Sequence, residues 1–152
     1  MYRTHSEEDS LRFGAALGAH LHPGDSLLIS GDLGAGKSVL ARGAARALGV
    51  TGPMPSPTFT LMQPYGNVCH FDLYRLEDED EFYQAGLDEY TGGSWIALIE
   101  WPFDGMDISP RVEVSVGRGE AEDERMIRLT FVDMNGRAES IEDALRAWEA
   151  KI

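Results

Sequence analysis

Apolar runs and alternating stretches divide the chain into predicted β-strands. Residues 26–30 form a short, mostly apolar run, and residues 95–99 form a continuous one that ends in Glu100. Such runs are typical of strands buried on both faces of a sheet. Alternation of apolar and polar residues predicts further strands at 58–63, 112–116 and 126–131. A strand at 68–74 is predicted as the partner of 58–63 across a turn.

Helices are predicted from capping residues and from composition. Ser6 followed by Asp9 is a capping-box pattern, which predicts a helix over about 7–20. Residues 39–48 are rich in Ala, Leu and Arg, and Gly49 stands where a C-terminal cap glycine belongs. Two more helices are predicted, one at 78–85 before Gly86 and one that begins at the capping-box pattern of Ser140 and runs to about residue 150.

The segment between the first apolar run and the Ala-rich helix carries the strongest chemical signal. Gly31-Asp32-Leu33-Gly34-Ala35-Gly36-Lys37-Ser38 matches the phosphate-binding pattern G-x-x-x-x-G-K-[ST]. Glycines let backbone N–H groups approach an anion, Lys37 supplies a positive charge, and the Ser38 hydroxyl can bind Mg²⁺. A chance match in an ordinary turn is the alternative, but the strand before it and the helix after it favour a phosphate loop.

Together these elements predict the fold class. Helices and strands around a phosphate loop indicate an α/β fold, a three-layer sandwich like that of P-loop NTPases. The hairpins predicted at about 58–74 and 112–131 make the sheet mixed. The length of 152 residues predicts a single P-loop ATPase domain over 1–152.

Two acidic residues follow predicted strands and are candidates for a magnesium site. Asp72 follows the run 68–71, and Glu100 follows 95–99. In P-loop enzymes the acid that completes the metal site typically stands at the end of an apolar strand. The alternative is that these carboxylates are only solvated residues at strand ends.

Other polar residues allow more than one interpretation. The segment Ser56–Thr60 could close over a γ-phosphate like a switch loop, or be only a stiff turn. His70 could act as a base, but a histidine inside a strand is more often a packed, hydrogen-bonded residue. Trp101 could contact nucleotide or a partner, or fill the edge of the core, and the acidic run 77–81 indicates a solvated helix face.

Composition and charge narrow the classes of partner. No apolar run approaches the 18 residues or so of a membrane span, and the polar, acidic N-terminus argues against a secretory signal, so we expect a cytoplasmic protein. The single Cys69 is expected to be a buried strand thiol with no catalytic role. A net charge of −13 argues against a broad nucleic-acid surface, so any RNA would be held by another protein.

Four motifs in this order closely resemble the bacterial TsaE (YjeE) family over about residues 6–132. They are Gly31–Ser38, Ser56-Pro57-Thr58-Phe59-Thr60, His70-Phe71-Asp72-Leu73-Tyr74-Arg75-Leu76 and Ile99-Glu100-Trp101-Pro102. The resemblance implies the ATPase component of tRNA threonylcarbamoyladenosine synthesis. It would work with the TsaD–TsaB pair, which transfers the group to adenosine 37 of tRNA.

The resemblance also implies roles for particular residues. ATP or ADP would be bound by the phosphate loop, which comprises Gly34, Ala35, Gly36, Lys37, Ser38 and Val39, and by the outlying Glu7 and Arg125. Mg²⁺ would be associated with Ser38 and Glu100, with Asp72 assisting the metal or a water. Lys37, Asp72, Glu100 and Thr58 would be catalytic, the last of these in the switch-like loop.

Three other functions could use the same loop. A small-molecule kinase would need an acceptor pocket and a cationic lid, but the chain has only 13 Lys and Arg and no Arg-rich lid. An ATP-gated docking protein would use ATP only to order the Pro53–Thr58 loop, without essential turnover. A GTPase is disfavoured because the guanine-reading Asn-Lys-x-Asp motif is absent from the sequence.

Overall fold

The fold is seen in a computed structural model that describes residues 1–57 and 60–149. The strands are β1 (Tyr2–Thr4), β2 (Ser26–Gly31), β3 (Met62–Tyr65), β4 (Val68–Asp72), β5 (Ile96–Glu100), β6 (Arg111–Arg118) and β7 (Arg125–Val132). The α-helices are α1 (Glu7–Gly18), α2 (Lys37–Ala47), α3 (Glu79–Gln84) and α4 (Arg137–Glu149), and Leu87–Tyr90 forms a 3₁₀ turn.

All seven strands form one mixed sheet in the order β1-β7-β6-β2-β5-β4-β3. The central strand β2 runs parallel to β5 and β6, and β4 runs parallel to β5. The antiparallel pairs are β3–β4, β6–β7 and β1–β7. The predicted α/β fold with a mixed sheet is therefore confirmed, and its parallel centre brings the ends of β2, β4 and β5 to one edge.

Apolar side chains form a separate cluster on each face of this sheet. One cluster includes Phe13 and Leu17 of α1, Leu40 of α2 and Ile141 of α4. The other packs Phe82 of α3 against strand residues such as Phe71 and Ile99. Helices thus cover both faces, which gives the three layers that the sequence predicts.

Helices α1 and α2 pack closely enough to require glycine at their contact. A Cβ built on Gly14 would lie 2.4 Å from the Leu40 carbonyl oxygen, and one built on Gly43 would lie 2.2 Å from the Leu11 carbonyl oxygen. Both contacts are with backbone atoms, which cannot move aside as a side-chain tip can. The close approach fixes the position of α2, whose first turn carries Lys37 and Ser38.

The predicted boundaries of two elements were wrong. Strand β3 runs from Met62 to Tyr65, whereas the sequence predicts a strand over 58–63 and a turn after it; Pro64 is tolerated because β3 is an edge strand. Residues 58 and 59 of that predicted strand lie outside the described residues. Helix α4 begins at Arg137, not at Ser140, and Arg137 is hydrogen-bonded to the buried Asp25, a long-range contact that a local capping pattern does not contain.

Strand β1 was not predicted at all. It has only three residues and pairs with β7 from Tyr2↔Ile127 to Thr4↔Arg125. A strand this short carries too little alternation to be recognised by pattern. Among the described residues, no helix has the length and apolar character that spanning a membrane requires.

Candidate functional site

The main candidate site is a cavity of about 290 Å³ at the edge where β2, β4 and β5 end. It is bounded by the loop that connects β2 to α2 and by the residues that close β4 and β5. The predicted site residues that line it are Gly34, Gly36, Lys37, Ser38, Val39, Asp72 and Glu100. The structure therefore brings together residues from three motifs that are far apart in the sequence.

Glycine conformations shape the loop between β2 and α2. Gly34 has φ = 79° and Gly36 has φ = 103°, and Gly36 is the residue that precedes the first turn of α2. These left-handed conformations are strained for residues with a Cβ. Ala35 is fully buried and does not line the cavity, so it contributes its backbone to the loop.

The Lys37 side chain lies folded against the loop that carries it. Its Nζ donates to the carbonyl oxygens of Gly31 at 2.8 Å and Asp32 at 2.7 Å. The same nitrogen lies 3.9 Å from the ring centroid of Trp101, a cation–π contact. Burial lowers the pKa of Lys37, although the nearby carboxylate of Glu100 acts in the opposite direction.

A hydrogen bond joins the first turn of α2 to the end of β5. The Ser38 hydroxyl donates to Oε1 of Glu100 at 2.8 Å, across 62 residues of sequence. The other carboxylate oxygen, Oε2, lies 2.5 Å from Nε2 of His70. Glu100 is only 2% exposed, so both of its oxygens are held by protein groups in a buried setting.

Asp72 stands beside Glu100 because β4 and β5 are parallel and in register at these two residues. Its Oδ1 accepts from the Tyr74 backbone N–H at 3.0 Å, and its Oδ2 accepts from the Ser56 hydroxyl at 3.4 Å. The second contact links the end of β4 to the proline-rich loop. Thr58, the loop residue predicted to be catalytic, lies outside the described residues.

Trp101 takes an unusual backbone conformation directly after Glu100. Its φ is 58°, and its N–H donates to the Ile29 carbonyl at 3.2 Å. The ring lies against Tyr74, with 4.7 Å between the ring centroids. This arrangement holds the indole at the cavity and against Lys37. The strained backbone of Trp101 thus positions its own side chain.

The two outlying residues, Glu7 and Arg125, meet at a second cavity of about 160 Å³. This cavity shares Gly34, Gly36 and Val39 with the first, so the two cavities adjoin at the loop. Glu7 is largely exposed and lies 3.8 Å from the Arg42 guanidinium. The structure thus brings Glu7 and Arg125 to the same side of the loop, although they come from α1 and β7.

Comparison with known proteins adds an independent observation. The family model described as "Threonylcarbamoyl adenosine biosynthesis protein TsaE" matches residues 4–127. The chain belongs to the TsaE family. The resemblance recognised from four motifs is therefore confirmed over most of the chain.

Two curated TsaE proteins and one solved structure are similar to this chain over most of their lengths. The chain is 38% identical over 137 residues to the tRNA threonylcarbamoyladenosine biosynthesis protein TsaE of Bacillus subtilis, covering 86% of this chain and 85% of that protein. It is 38% identical to the Haemophilus influenzae protein of the same name, covering 81% and 84%. A crystal structure of Bacillus subtilis YdiB superposes with a TM-score of 0.72 at 30% identity, covering 97% of this chain and 93% of that one.

Two arginines contact the loop in a way that the sequence does not predict. The Arg125 Nε donates to the Ala35 carbonyl at 2.8 Å, and the Arg118 guanidinium donates to the Gly34 carbonyl at 3.2 Å. Arg125 was predicted only as a nucleotide contact, and Arg118 was not singled out. Both contacts are with main-chain oxygens 84 or 90 residues away, so no side-chain motif in the sequence signals them.

Proposed function

We propose that this TsaE-family chain is a magnesium-dependent ATPase that binds ATP and slowly hydrolyses it to ADP and phosphate. In this proposal it supports the TsaD–TsaB complex in forming the threonylcarbamoyl group on adenosine 37 of tRNA. The observation that carries the proposal is the 2.8 Å hydrogen bond between Ser38 and Glu100 at the end of the phosphate loop. In P-loop NTPases a loop hydroxyl and a strand-end acid hold Mg²⁺ together.

The chemistry of the donor set suits Mg²⁺. Ser38, Glu100 and Asp72 offer a hydroxyl and two carboxylates in one cavity, and oxygen is the ligand that this ion prefers. In the described part of the chain, no three His, Cys, Asp or Glu residues cluster as a metal-binding group. Mg²⁺ usually takes one or two carboxylates and fills its remaining positions with phosphate oxygens and water. When bound, the ion would neutralise charge on the β- and γ-phosphate oxygens.

The other residues of the cavity have roles that follow from their chemistry. The backbone from Gly34 to Val39 would donate N–H groups to phosphate oxygens, and Lys37 would exchange its carbonyl contacts for phosphate. Asp72 would orient a water through its carboxylate, since it lies beside Glu100 and is bonded to the loop at Ser56. We propose that Thr58 acts in that loop and that Glu7 and Arg125 line the outer part of the nucleotide site.

We expect slow hydrolysis by the isolated chain, and the contacts of two arginines at the loop, Arg118 and Arg125, support that expectation. Rapid phosphoryl transfer in P-loop NTPases often depends on an arginine that stabilises the transition-state charge. Arg118 and Arg125 donate to loop carbonyls, so these two guanidinium groups are engaged with the backbone. We therefore expect activation to come from a partner.

The relatives' names support the pathway, and the charge supports an indirect contact with RNA. The curated relatives are named for tRNA threonylcarbamoyladenosine biosynthesis. With a net charge of −13, this chain would be repelled by an RNA backbone over most of its surface. We propose that TsaD–TsaB holds the tRNA and that the chain acts in the cytoplasm.

The test is ATP hydrolysis measured for the chain alone and with purified TsaD–TsaB. We expect low basal turnover and strong stimulation by the complex. Glu100→Gln should abolish the stimulated rate while leaving ATP bound, and Lys37→Ala should weaken ATP binding itself. Glu139→Gln, an exposed carboxylate of α4, is the matched control and should behave as wild type.

The opposite results would separate the alternatives. Phosphoryl transfer to a small acceptor, with no stimulation by TsaD–TsaB, would replace the proposal with a kinase. Full modification over many cycles by a Glu100→Gln variant that cannot hydrolyse ATP would favour ATP-gated docking.

A further inference from the structure

His70 is a buried polar residue to which the proposed chemistry gives no part. We propose that His70 is a positioning residue that fixes the orientation of the Glu100 carboxylate and thereby sets the affinity of the site for a divalent cation. The proposal rests on the magnesium site proposed above. It extends that site from the groups that would touch the ion to a group that acts through one of them.

The sheet places His70 and Glu100 on the same face. In the parallel register His70 is opposite Leu98 and Asp72 is opposite Glu100, so His70 and Glu100 are diagonal neighbours on adjacent strands. Diagonal neighbours are within reach of long side chains. The His70 Nε2 and the Glu100 Oε2 are 2.5 Å apart, and the two side chains are only 1% and 3% exposed. Water is therefore a poor substitute for this contact.

The hydrogen-bond partners assign the ring proton. Within the described residues, no polar group reaches Nδ1 of His70, which is also buried. A buried N–H without an acceptor is costly, whereas an unprotonated ring nitrogen is less so. The favoured ring therefore carries its proton on Nε2 and donates it to Oε2 of Glu100.

With this hydrogen bond, the two carboxylate oxygens of Glu100 have different partners. Oε2 is occupied by His70, and Oε1 is left facing the Ser38 hydroxyl, where the metal would be held. The last torsion of a glutamate side chain is soft, so without a partner on Oε2 the carboxylate plane could turn. Removal of such a supporting hydrogen bond typically weakens metal binding about 10- to 100-fold.

The alternative is that His70 only fills space between the sheet and its helices. A filler residue affects folding stability but has no selective effect on a cation. A glutamine, whose amide can place an N–H near the position of Nε2, would then be no better than an apolar residue of similar size. The two interpretations thus differ in what a conservative substitution restores.

The experiment measures Mn²⁺ binding by electron paramagnetic resonance in the presence of saturating ADP. Mn²⁺ is the probe because it accepts the same oxygen ligands as Mg²⁺. The variants are His70→Leu and His70→Gln, with Val68→Ala as the matched control, a buried residue of the same strand in the apolar cluster. ADP affinity without metal and thermal unfolding are measured for each protein.

We expect His70→Leu to bind Mn²⁺ about 10- to 100-fold more weakly than wild type, with metal-free ADP affinity unchanged. His70→Gln should recover most of that loss, and Val68→Ala should keep wild-type Mn²⁺ affinity even if its unfolding temperature falls. If His70→Leu does not fold, His70→Asn replaces it, because the shorter amide does not reach Oε2.

Three results would overturn the inference, and they differ in what they leave standing. Wild-type Mn²⁺ affinity in folded His70→Leu, or equal losses in the Leu and Gln variants, would show that His70 does not position Glu100 and would leave the proposed magnesium site standing. Failure of the wild-type protein to bind Mn²⁺ with ADP would instead overturn the magnesium site and this inference with it.

Discussion

The ammonium group of Lys37 lies 3.9 Å from the centroid of the Trp101 ring. Two backbone carbonyls complete its surroundings, those of Gly31 and Asp32. A lysine held in this way has its N–H groups already engaged before any phosphate arrives. A phosphate group that bound at this loop would therefore have to replace contacts that Lys37 makes with the loop and with Trp101.

Trp101 should consequently report nucleotide binding by fluorescence. We expect ADP or ATP to change the emission of a protein that retains Trp101 as its only tryptophan, with Trp95 and Trp148 replaced by Phe. The physical reason is that the cation and the loop next to the indole rearrange when phosphate enters. The protein that retains only Trp148, which packs against Phe13 and does not line the cavity, is the control and should show no change. An unchanged Trp101 signal at ADP concentrations that calorimetry shows to be saturating would contradict the expectation.

Arg125 should act on nucleotide affinity through the backbone of the loop. Because a trans peptide directs its C=O and N–H to opposite sides, the Arg125 bond to the Ala35 carbonyl turns the N–H of Gly36 the other way. Arg125→Ala should weaken ATP binding by about tenfold or more, since a hydrogen bond from a charged group is worth about 1.5–3 kcal/mol. Isothermal calorimetry measures the change.

The control for this prediction is a second arginine of the same strand. Arg128→Ala removes the same charge from β7, and Arg128 lines a different cavity with Met1 and Tyr2. It should leave ATP affinity unchanged. Equal losses in the two variants would mean that the overall charge matters and that the contact with Ala35 does not.

The extent to which the sequence predicts this site depends on how far apart the interacting groups are. Lys37 and Ser38 belong to one local motif, and the meeting of Asp72 with Glu100 follows from two strands that end at the same edge of a parallel sheet. The contacts of Arg118 and Arg125 could not be predicted in this way. They join side chains of a hairpin to main-chain oxygens, and any residue type supplies such an oxygen.

The fold shows the same division between local and long-range causes. Helix α1 begins where its cap predicts, because the Ser6 hydroxyl accepts from the Asp9 N–H at 3.0 Å. Helix α4 begins earlier than its local pattern predicts. Its first residue, Arg137, is bonded to Asp25 just before β2, and that bond exists only once the chain has folded.

Gly43 should be intolerant of even one added methyl group. Gly43→Ala would place a Cβ 2.2 Å from the Leu11 carbonyl oxygen, so α1 and α2 would have to separate. Overpacking of this kind costs about 1–3 kcal/mol, and each kcal/mol lowers the unfolding temperature by about 2–4 °C in a chain of this size. ATP affinity should fall as well, because α2 carries Lys37 and Ser38.

A second glycine provides the comparison for this substitution. A Cβ on Gly117 would meet only the Met126 carbonyl oxygen, at 4.0 Å, and its backbone is not left-handed. Gly117→Ala should change stability by no more than about 0.5 kcal/mol. Thermal unfolding of both variants checks the pair, and an equally stable Gly43→Ala protein would contradict the close helix contact.

Deprotonation of the Cys69 thiol should lower the free energy of unfolding of the protein at alkaline pH. Burial raises the pKa of its thiol from 9.0 to about 12, so the folded chain keeps the proton when the unfolded chain has lost it. The contribution of the protonated thiol to the free energy of unfolding is therefore complete below pH 9.0. It is lost progressively as the pH rises towards about 12. Denaturant unfolding from pH 8 to 11 should therefore show a steeper loss of stability for wild type than for Cys69→Ala, in which this titration is absent.

The same burial predicts that a thiol reagent labels Cys69 only after unfolding, since the thiolate is the reactive form. Parallel stability profiles, or rapid labelling of the native protein at pH 8, would show that the thiol is accessible to solvent.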